Sequence, residues 1–549
     1  MFKLKGLCTF LNILLAFLFI LFLTDMAKAD VFCVSNSSEL QEALTTAASN
    51  GEDDVVKIVQ KAYNGNFIYF SDEDYGLTIE GGYTEGCFSR VVDPANTVLD
   101  GGGSGTVLEL SSFAAVNFSI DGITLKNGMT GRGGGGLYAF ADTITLTNNI
   151  ITGNSAAWGG GGDLHASFPG TITLTNNIIT GNSAYHGGGV YADNVDGIIA
   201  LTSNTITGNS ADSHGGGVYV WADIVTLTSN TITGNSADNS GGGVYADNVN
   251  GIIALTSNTI TGNSADRGGG GIYTHNRIYY GITTLTNNTI TNNSAANGGG
   301  TYISLDWSGA IANISNNIIW NNTADAEGND LYIYNNGIVN LFSNDFDQSA
   351  EGIYIEIPFT IDPTNLNNEA PLFVDPVNND YRIQAGSPCV NAGDPNAPEL
   401  PAADFEGDPR VVGAAPDIGA DEYYTGPPVP IPDIKVNGSD GPITLNQSDT
   451  LTVTVALDNN GQTDNADWWL AADTPFVLYF YTLYNWVSYT EPAYQGQLFY
   501  LDTYEVFSIS VLGLEEGEYT LYFGVDTVMD GDVTWGSGYC DTVVVNITE

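Results

Sequence analysis

Between residues 146 and 322, apolar and polar residues alternate within a ten-residue phrase that recurs seven times, starting at Leu146, Leu174, Leu201, Leu227, Leu255, Leu285 and Ile314. The phrase reads [LI]-[TS]-[NS]-N-[IT]-I-[TW]-[GN]-N-[ST], and successive starts differ by 26 to 30 residues. Period-two alternation in a segment dense in Thr, Ile and Asn predicts short strands rather than helices. A near-constant repeat predicts a solenoid, in which each unit buries its apolar edge only by stacking on its neighbours. Identical coils then place like residues above one another at the strand spacing of about 4.8 Å. The expected fold is all-β, a right-handed parallel β-helix.

Each repeating position acquires a physical job in such a stack. The Leu positions, with Ile151, Ile179, Ile206, Ile232, Ile260 and Ile290, fill the interior. Asn149, Asn177, Asn204, Asn230, Asn258, Asn288 and Asn317 fit a corner where carboxamides hydrogen-bond along the axis as a ladder. Runs of three or four glycines precede a column assigned to Tyr138, Leu164, Tyr191, Tyr219, Tyr245, Tyr273, Tyr302 and Tyr332, and mark a corner needing positive φ.

The flanks of the repeat predict its limits. Ser38 to Asn50 reads as a helix with a Ser38/Gln41 capping box and an apolar stripe through Leu40, Ala43, Leu44, Ala47 and Ala48. With the irregular strands after it, this helix forms a cap and first coils over residues 30–110, covering strand edges that would otherwise invite other chains. Regular coils occupy 111–345 and a closing segment 346–424. The stretch 425–432, Thr-Gly-Pro-Pro-Val-Pro-Ile-Pro, is a stiff linker. Alternating strands separated by turn clusters over 433–549 suit a small immunoglobulin-like β-sandwich. An aromatic-rich stretch within it, from Trp468 to Tyr500, is expected to be mostly core, its exposed rings offering a surface for sugars.

The closing segment carries Pro371-Leu372-Phe373-Val374-Asp375, Asp380-Tyr381-Arg382-Ile383, Ser387-Pro388-Cys389-Val390-Asn391-Ala392-Gly393, Asp404-Phe405-Glu406-Gly407-Asp408-Pro409-Arg410 and Asp417-Ile418-Gly419-Ala420-Asp421-Glu422-Tyr423. It resembles the end of bacterial right-handed β-helix proteins of the choice-of-anchor Q group, and the coils are similar to those of polymorphic outer-membrane, adhesin-like proteins. The resemblance implies a secreted or surface-displayed fold and no single activity. Asn391 and Asp421 depart from the pattern, where an acid and an aromatic or apolar residue would be expected. From the residues themselves, Arg410 with Asp404 and Asp417 is expected to form a buried clamp on the last coil.

Composition narrows the partners. Residues 1–29 read as an export signal, with Lys3 and Lys5, an apolar run and Ala27-Lys28-Ala29, so an extracellular or cell-surface protein with no membrane span after signal removal is expected. The net charge of −50 excludes nucleic acid as a partner and suits a soluble rod, with Ca²⁺ at acidic turns a further option. Cys33 and Cys87 are the disulfide candidates in an oxidising compartment. The spacings suggest no zinc motif and no cofactor.

Chemistry is expected where repetition breaks. The residue before each glycine run varies, as Arg132, Trp158, His186, His214, Ser240, Arg267 and Asn297. Trp158, His186, His214, Arg267 and Asn297 form the candidate binding face, for a glycan or another surface. His186 and His214 supply two ligands, short of a metal site. The acids Asp212, Asp238 and Asp266 beside Arg267 read as solvated corners. The expected function is a non-catalytic, adhesin-like or structural surface protein, with no catalytic residue assigned. The alternative is a polysaccharide lyase or glycoside hydrolase, for which paired carboxylates such as Asp163 and Asp193 would be required.

Overall fold

A computed structural model describes residues 30–549 except 249–250, 278–279, 425–429, 440–442, 460–461, 475–476, 484, 528, 530, 532–537 and 549. The expected export signal, most of the Pro-rich linker, and Phe476 and Tyr484 lie outside the described residues. Among these residues, no helix is long and apolar enough to cross a membrane.

Three parallel sheets of 19, 12 and 8 strands wrap a single apolar interior, making a right-handed parallel β-solenoid. Each turn contributes a long bent strand such as Val190–Thr202, a short strand such as Thr205–Thr207 and a two-residue strand such as Ser210–Ala211. Leu174 lies opposite Leu201 and Leu201 opposite Leu227, all fully buried.

The asparagine column is a continuous ladder. Asn177 Nδ2 donates to the Leu146 carbonyl of the preceding coil at 2.9 Å and to Asn204 Oδ1 of the following coil at 3.0 Å. Its own Oδ1 accepts from the main-chain N–H and Nδ2 of Asn149. The ladder runs past Asn317 to Asn344 and Asn365. A second ladder stands five residues on, through Asn154, Asn182, Asn209, Asn235, Asn263, Asn293 and Asn322. The residue before each ladder position has positive φ, for example Asn176, Ser203 and Gly181 at 55°, 54° and 65°. This turn geometry explains the [NS] and [GN] places of the repeat. At Gly188, a Cβ would stand 2.2 Å from the Ser210 carbonyl of the next coil, so close backbone approach excludes any side chain there.

Several expectations need correction. The helix spans Ser37–Ala47 and is capped by Asn36, whose side chain accepts from the Ser38 and Glu39 amides. Glu39 reaches back to the Ser35 amide, while Gln41 bonds the Ile68 main chain instead of closing a capping box with Ser38. The helix still buries Leu40, Ala43, Leu44 and Ala47 over the first coil. Leu164 is not in the tyrosine column. The four-glycine run before it places Asp163 opposite Tyr138 and Tyr191, and turns Leu164 into the core between Ala139 and Ala192.

The first part of the closing segment continues the coils, Ile353–Ile355 pairing with Leu331–Ile333 and Leu366–Asn367 with Asp345–Phe346, and the rest leaves them. It folds back as a strap across the outside of earlier coils: Arg410 donates to Ser257 Oγ, Tyr381 accepts from Thr261, Pro398 accepts from Thr286, and Asn287 donates to the Asp417 carbonyl. Phe359 and Ile361 pack on the interior near its C-terminal end. Arg410, Asp404 and Asp417 are buried together and the two carboxylates act on the guanidinium through space, but the hydrogen bonds of Arg410 go to the Gly419 and Ala420 carbonyls and Ser257. Asp404 and Asp417 are occupied by main-chain amides, those of Glu406, Asp408 and Glu422 and those of Asn391 and Tyr423. Such amides satisfy buried carboxylates without drawing the guanidinium in.

Cys33 and Cys87 are joined by a disulfide that ties the first strand to the coils after it. Cys389 is free and buried, Cys540 free and exposed. After the linker, one antiparallel sheet is built from Ile431–Val436, Thr450–Asp458 and Leu501–Ser510. A second, centred on Asn465–Asp473 and Gly517–Asp526, shares with it a core that includes Ile434, Val453, Trp468 and Phe523. Of the aromatic stretch, Trp468 and Trp469 are buried, while Tyr489, Tyr494, Phe499 and Tyr500 are exposed.

Ladder asparagines should be more sensitive than their neighbours. Asn230→Ala strands the Leu201 carbonyl and removes the acceptor for Asn204, and is expected to lower unfolding free energy by about 3 kcal/mol. Thr231→Ala, half-buried beside it, should cost less than about 1 kcal/mol. Urea titration followed by circular dichroism measures both.

Candidate functional site

The outer surface of the first half of each long strand carries two parallel columns of side chains. The first is the tyrosine column. From Tyr191 through Tyr219, Tyr245, Tyr273, Tyr302 and Tyr332 to Tyr354 the rings stack at centroid distances of 5.0, 5.1, 5.0, 4.7, 4.5 and 4.5 Å, with interplanar angles of 17° or less. Each ring covers its neighbour's face, so the stack presents edges outward; Tyr245 is buried and the other rings are half-buried. Burial pushes the Tyr219 and Tyr273 phenols up to about 12 and raises those of Tyr191, Tyr245 and Tyr302. These hydroxyls stay protonated across the physiological range.

The second column lies two residues further along each strand. In register it reads Phe140, His165, Asp193, Trp221, Asp247, His275 and Ser304. Its N-terminal part is a cluster of Asp163, His165 and Asp193. His165 Nε2 lies 2.8 Å from Asp163 Oδ1, and its ring bridges the gap that Asp163 leaves in the tyrosine stack, 5.9 Å from Tyr138 and 5.6 Å from Tyr191. Burial works to lower the His165 pKa, but the hydrogen bond and charge of Asp163, with Asp193, outweigh it and raise it. Burial also raises Asp193, against the opposing pull of His165.

The C-terminal part is built around Asp247, fully buried and held by Arg277 through both carboxylate oxygens. The same guanidinium lies 5.6 Å from the centroid of Trp221. His275 Nε2 bonds Asp306 at 2.9 Å while Nδ1 faces Asp247 at 3.8 Å. Burial opposes protonation of His275, yet Asp247 and Asp306 raise its pKa. Ser304 donates to Asp306, and Trp307 Nε1 donates to the Arg277 carbonyl.

The residues expected to form a binding face border this surface but do not form one column. Gly159, not Trp158, pairs with His186, and Gly268, not Arg267, pairs with Ser240 and Asn297. The fourth glycine in those two runs displaces Trp158 and Arg267 by one position. Trp158 is 57 % exposed and packs edge-on against Tyr185 at 5.4 Å. His186 lies 5.3 Å from His214 and 5.2 Å from Tyr219, and His214 lies 4.7 Å from Tyr245. Burial, with His214 as a lesser cause, pushes His186 down to about 4; burial and then Arg267 lower His214. Arg267 is exposed and Asn297 half-buried at the same rim, and Asp212, Asp238 and Asp266 are exposed corners.

All four histidines of the chain therefore meet the tyrosine stack or the column beside it. The signal for the second column was available, since Y-x-[HDW] varies in the same way as the residue before the glycines. It escaped because that position sits inside a strand expected to be scaffold.

Among the described residues, the one group of three acids with metal-ligand spacing is Asp404, Glu406 and Asp408, on the strap and away from the histidines. Both oxygens of Asp404 already accept main-chain amides, which accounts for its position without an ion.

Comparison with known proteins agrees with this architecture. A family model described as "Right handed beta helix region" matches residues 169–356, which include most of the tyrosine column and the second column from Asp193 onward. The match stops short of the strap. No curated protein and no solved structure matches the chain.

Titration of the imidazoles tests these electrostatics. His165 and His275 should titrate above the ordinary value of about 6.5 and His186 and His214 below it, His186 near 4. Because the unfolded chain binds protons at His186 more readily than the folded one, this residue should withdraw stability as pH falls from about 6.5 towards 4. His165 and His275 carry the opposite sign, their contribution being full in acid and lost as pH rises through their folded values. Ring-proton NMR should show the ordering, with Asp306→Asn lowering the His275 midpoint.

Proposed function

We propose that the protein is an exported, surface-displayed rod that binds a glycan along the face formed by the tyrosine stack and the column His165–Asp193–Trp221–Asp247–His275, and that it does not cleave what it binds. The observation that carries this reading is the convergence of all four histidines, Arg277 and Trp221 on one outer face of an otherwise repetitive Asn, Thr and Ile scaffold. Exposed aromatic and hydrogen-bonding groups on an open surface recognise an extended ligand without enclosing it. Trp158 and Arg267 at the rim widen the same face.

The Cys33–Cys87 disulfide suits export to an oxidising compartment. The resemblance of the strap sequence to choice-of-anchor Q proteins supports surface display. An adhesin-like role follows from both.

A lyase reading is disfavoured because Arg277, the cation of this face, is engaged by Asp247 and by the Trp221 ring. One observation favours a hydrolase as the second reading: Asp193, whose acidity burial weakens, stands opposite the Asp163-bound His165.

A glycan array, followed by reducing-end and unsaturated-product assays on whatever binds, separates the two. Retention without new reducing ends or double bonds is expected. Trp221→Ala should weaken retention about tenfold or more, and Trp158→Ala, His186→Ala and Arg267→Ala combined should weaken it further. An array with no ligand, or a triple variant and Trp221→Ala that bind unchanged, would overturn the proposal; released products would replace it with the hydrolase.

A further inference from the structure

From the spacing and chemistry of this face we infer that its ligand is a linear, uncharged polysaccharide of extended 1,4-linked hexoses, lying parallel to the solenoid axis with one sugar residue per coil. The inference rests on the proposed glycan-binding role and adds the class and register of the ligand.

Spacing is the first argument. The tyrosine rings repeat every 4.5 to 5.1 Å from Tyr191 to Tyr354, set by the strand spacing of about 4.8 Å. That rise is close to the length of one hexose in an extended β-1,4-linked chain, so a saccharide parallel to the axis meets an equivalent ring edge at each step. A chain crossing the axis would meet one coil only, and the repetition would serve nothing.

Ring orientation is the second. Stacked tyrosines have no free faces for sugar rings to cover; Tyr219 and Tyr273 are half-buried with hydroxyls able to donate and accept, whereas Tyr245 is buried, Tyr191 bonds Asp193 and Tyr302 bonds Tyr332. Neutral phenols in a row match the alternating donors and acceptors along a neutral saccharide. Trp221 breaks the polar column at its middle, between Asp193 and Asp247 in the adjoining coils, and supplies an apolar patch for one sugar. Arg277 holds the indole from one side, and the indole N–H is buried without a hydrogen-bond partner.

Charge is the third. The face carries Asp163, Asp193, Asp247 and Asp306, while Arg277 is engaged by Asp247 and Arg267 stands at the rim beside the exposed Asp266. On a chain with net charge −50, uronates and sulfated glycans meet repulsion over the whole approach.

Isothermal titration of the full chain with cello-, manno- and chito-oligosaccharides of two to eight residues, alongside oligogalacturonates, tests this directly. Affinity is expected to rise with each added residue to at least the hexamer, in one or more neutral series. Oligogalacturonates should bind at least about tenfold more weakly. Tyr219→Phe removes one hydroxyl from a half-buried ring while keeping the stack, and should lower hexamer affinity about three- to tenfold with an unchanged circular dichroism spectrum. Affinity that is flat beyond the trisaccharide, a preference for the galacturonate, or a Tyr219→Phe protein that binds like the parent would overturn the inference and leave the glycan-binding role standing. Failure of every glycan on the array would overturn both.

Discussion

Short of their C-terminal ends at Asn322 and Asn365, the ladder asparagines close hydrogen bonds to two neighbouring coils at once, donating to a leucine or isoleucine carbonyl behind and to a carboxamide ahead. The side chain is buried, so any slip in register would strand both the amide and its partners in an apolar environment. Two such ladders, five residues apart, fix both ends of the short strand between them. Coil length is free to vary elsewhere, and the repeats do vary, but the two corners do not move. The stacking of leucines inside and tyrosines outside is a consequence of that lock.

With the corners locked, the outer face becomes a surface on which side chains can be exchanged without disturbing the interior. Tyrosines keep the column continuous because each ring lies on the next. Asp163 interrupts it, and His165 fills the gap from the adjoining column. The scaffold therefore tolerates carboxylates, imidazoles and an indole in successive coils at fixed spacing.

The strap shows a different solution to burial. Its Asp404 and Asp417 are held by main-chain amides and its Arg410 by carbonyls and a serine, while Asp380 and Glu406 pair with Arg382. Burial raises Asp421 and Glu422 to about 7, so the packing of this segment over the coils is linked to pH by the same desolvation that shapes the histidines. In covering the corner at Ser257, Asn287 and Asn316, the strap leaves the tyrosine face open.

What the sequence determined by itself was whatever repeats. The Leu, Ile and Asn149-type positions could be assigned to core and corner from period alone, because stacking brings chemically identical groups together and identical groups announce themselves. The end helix was legible through its apolar stripe, although its cap was misplaced by two residues because Asn36 with Glu39 and Ser38 with Gln41 match the same capping pattern in sequence. Only the tertiary structure decided what does not repeat. Whether Trp158 shares a column with His186 depends on one extra glycine, which shifts register without leaving a hydrophobic signature. Arg410 was drawn towards nearby acids in the sequence, but the strap folds back and gives it partners 153 residues away. Asp193, Trp221, Asp247 and His275 are separated by whole coils along the chain, and become one face only when parallel pairing sets them side by side, since contact in a solenoid is made across turns and not along them.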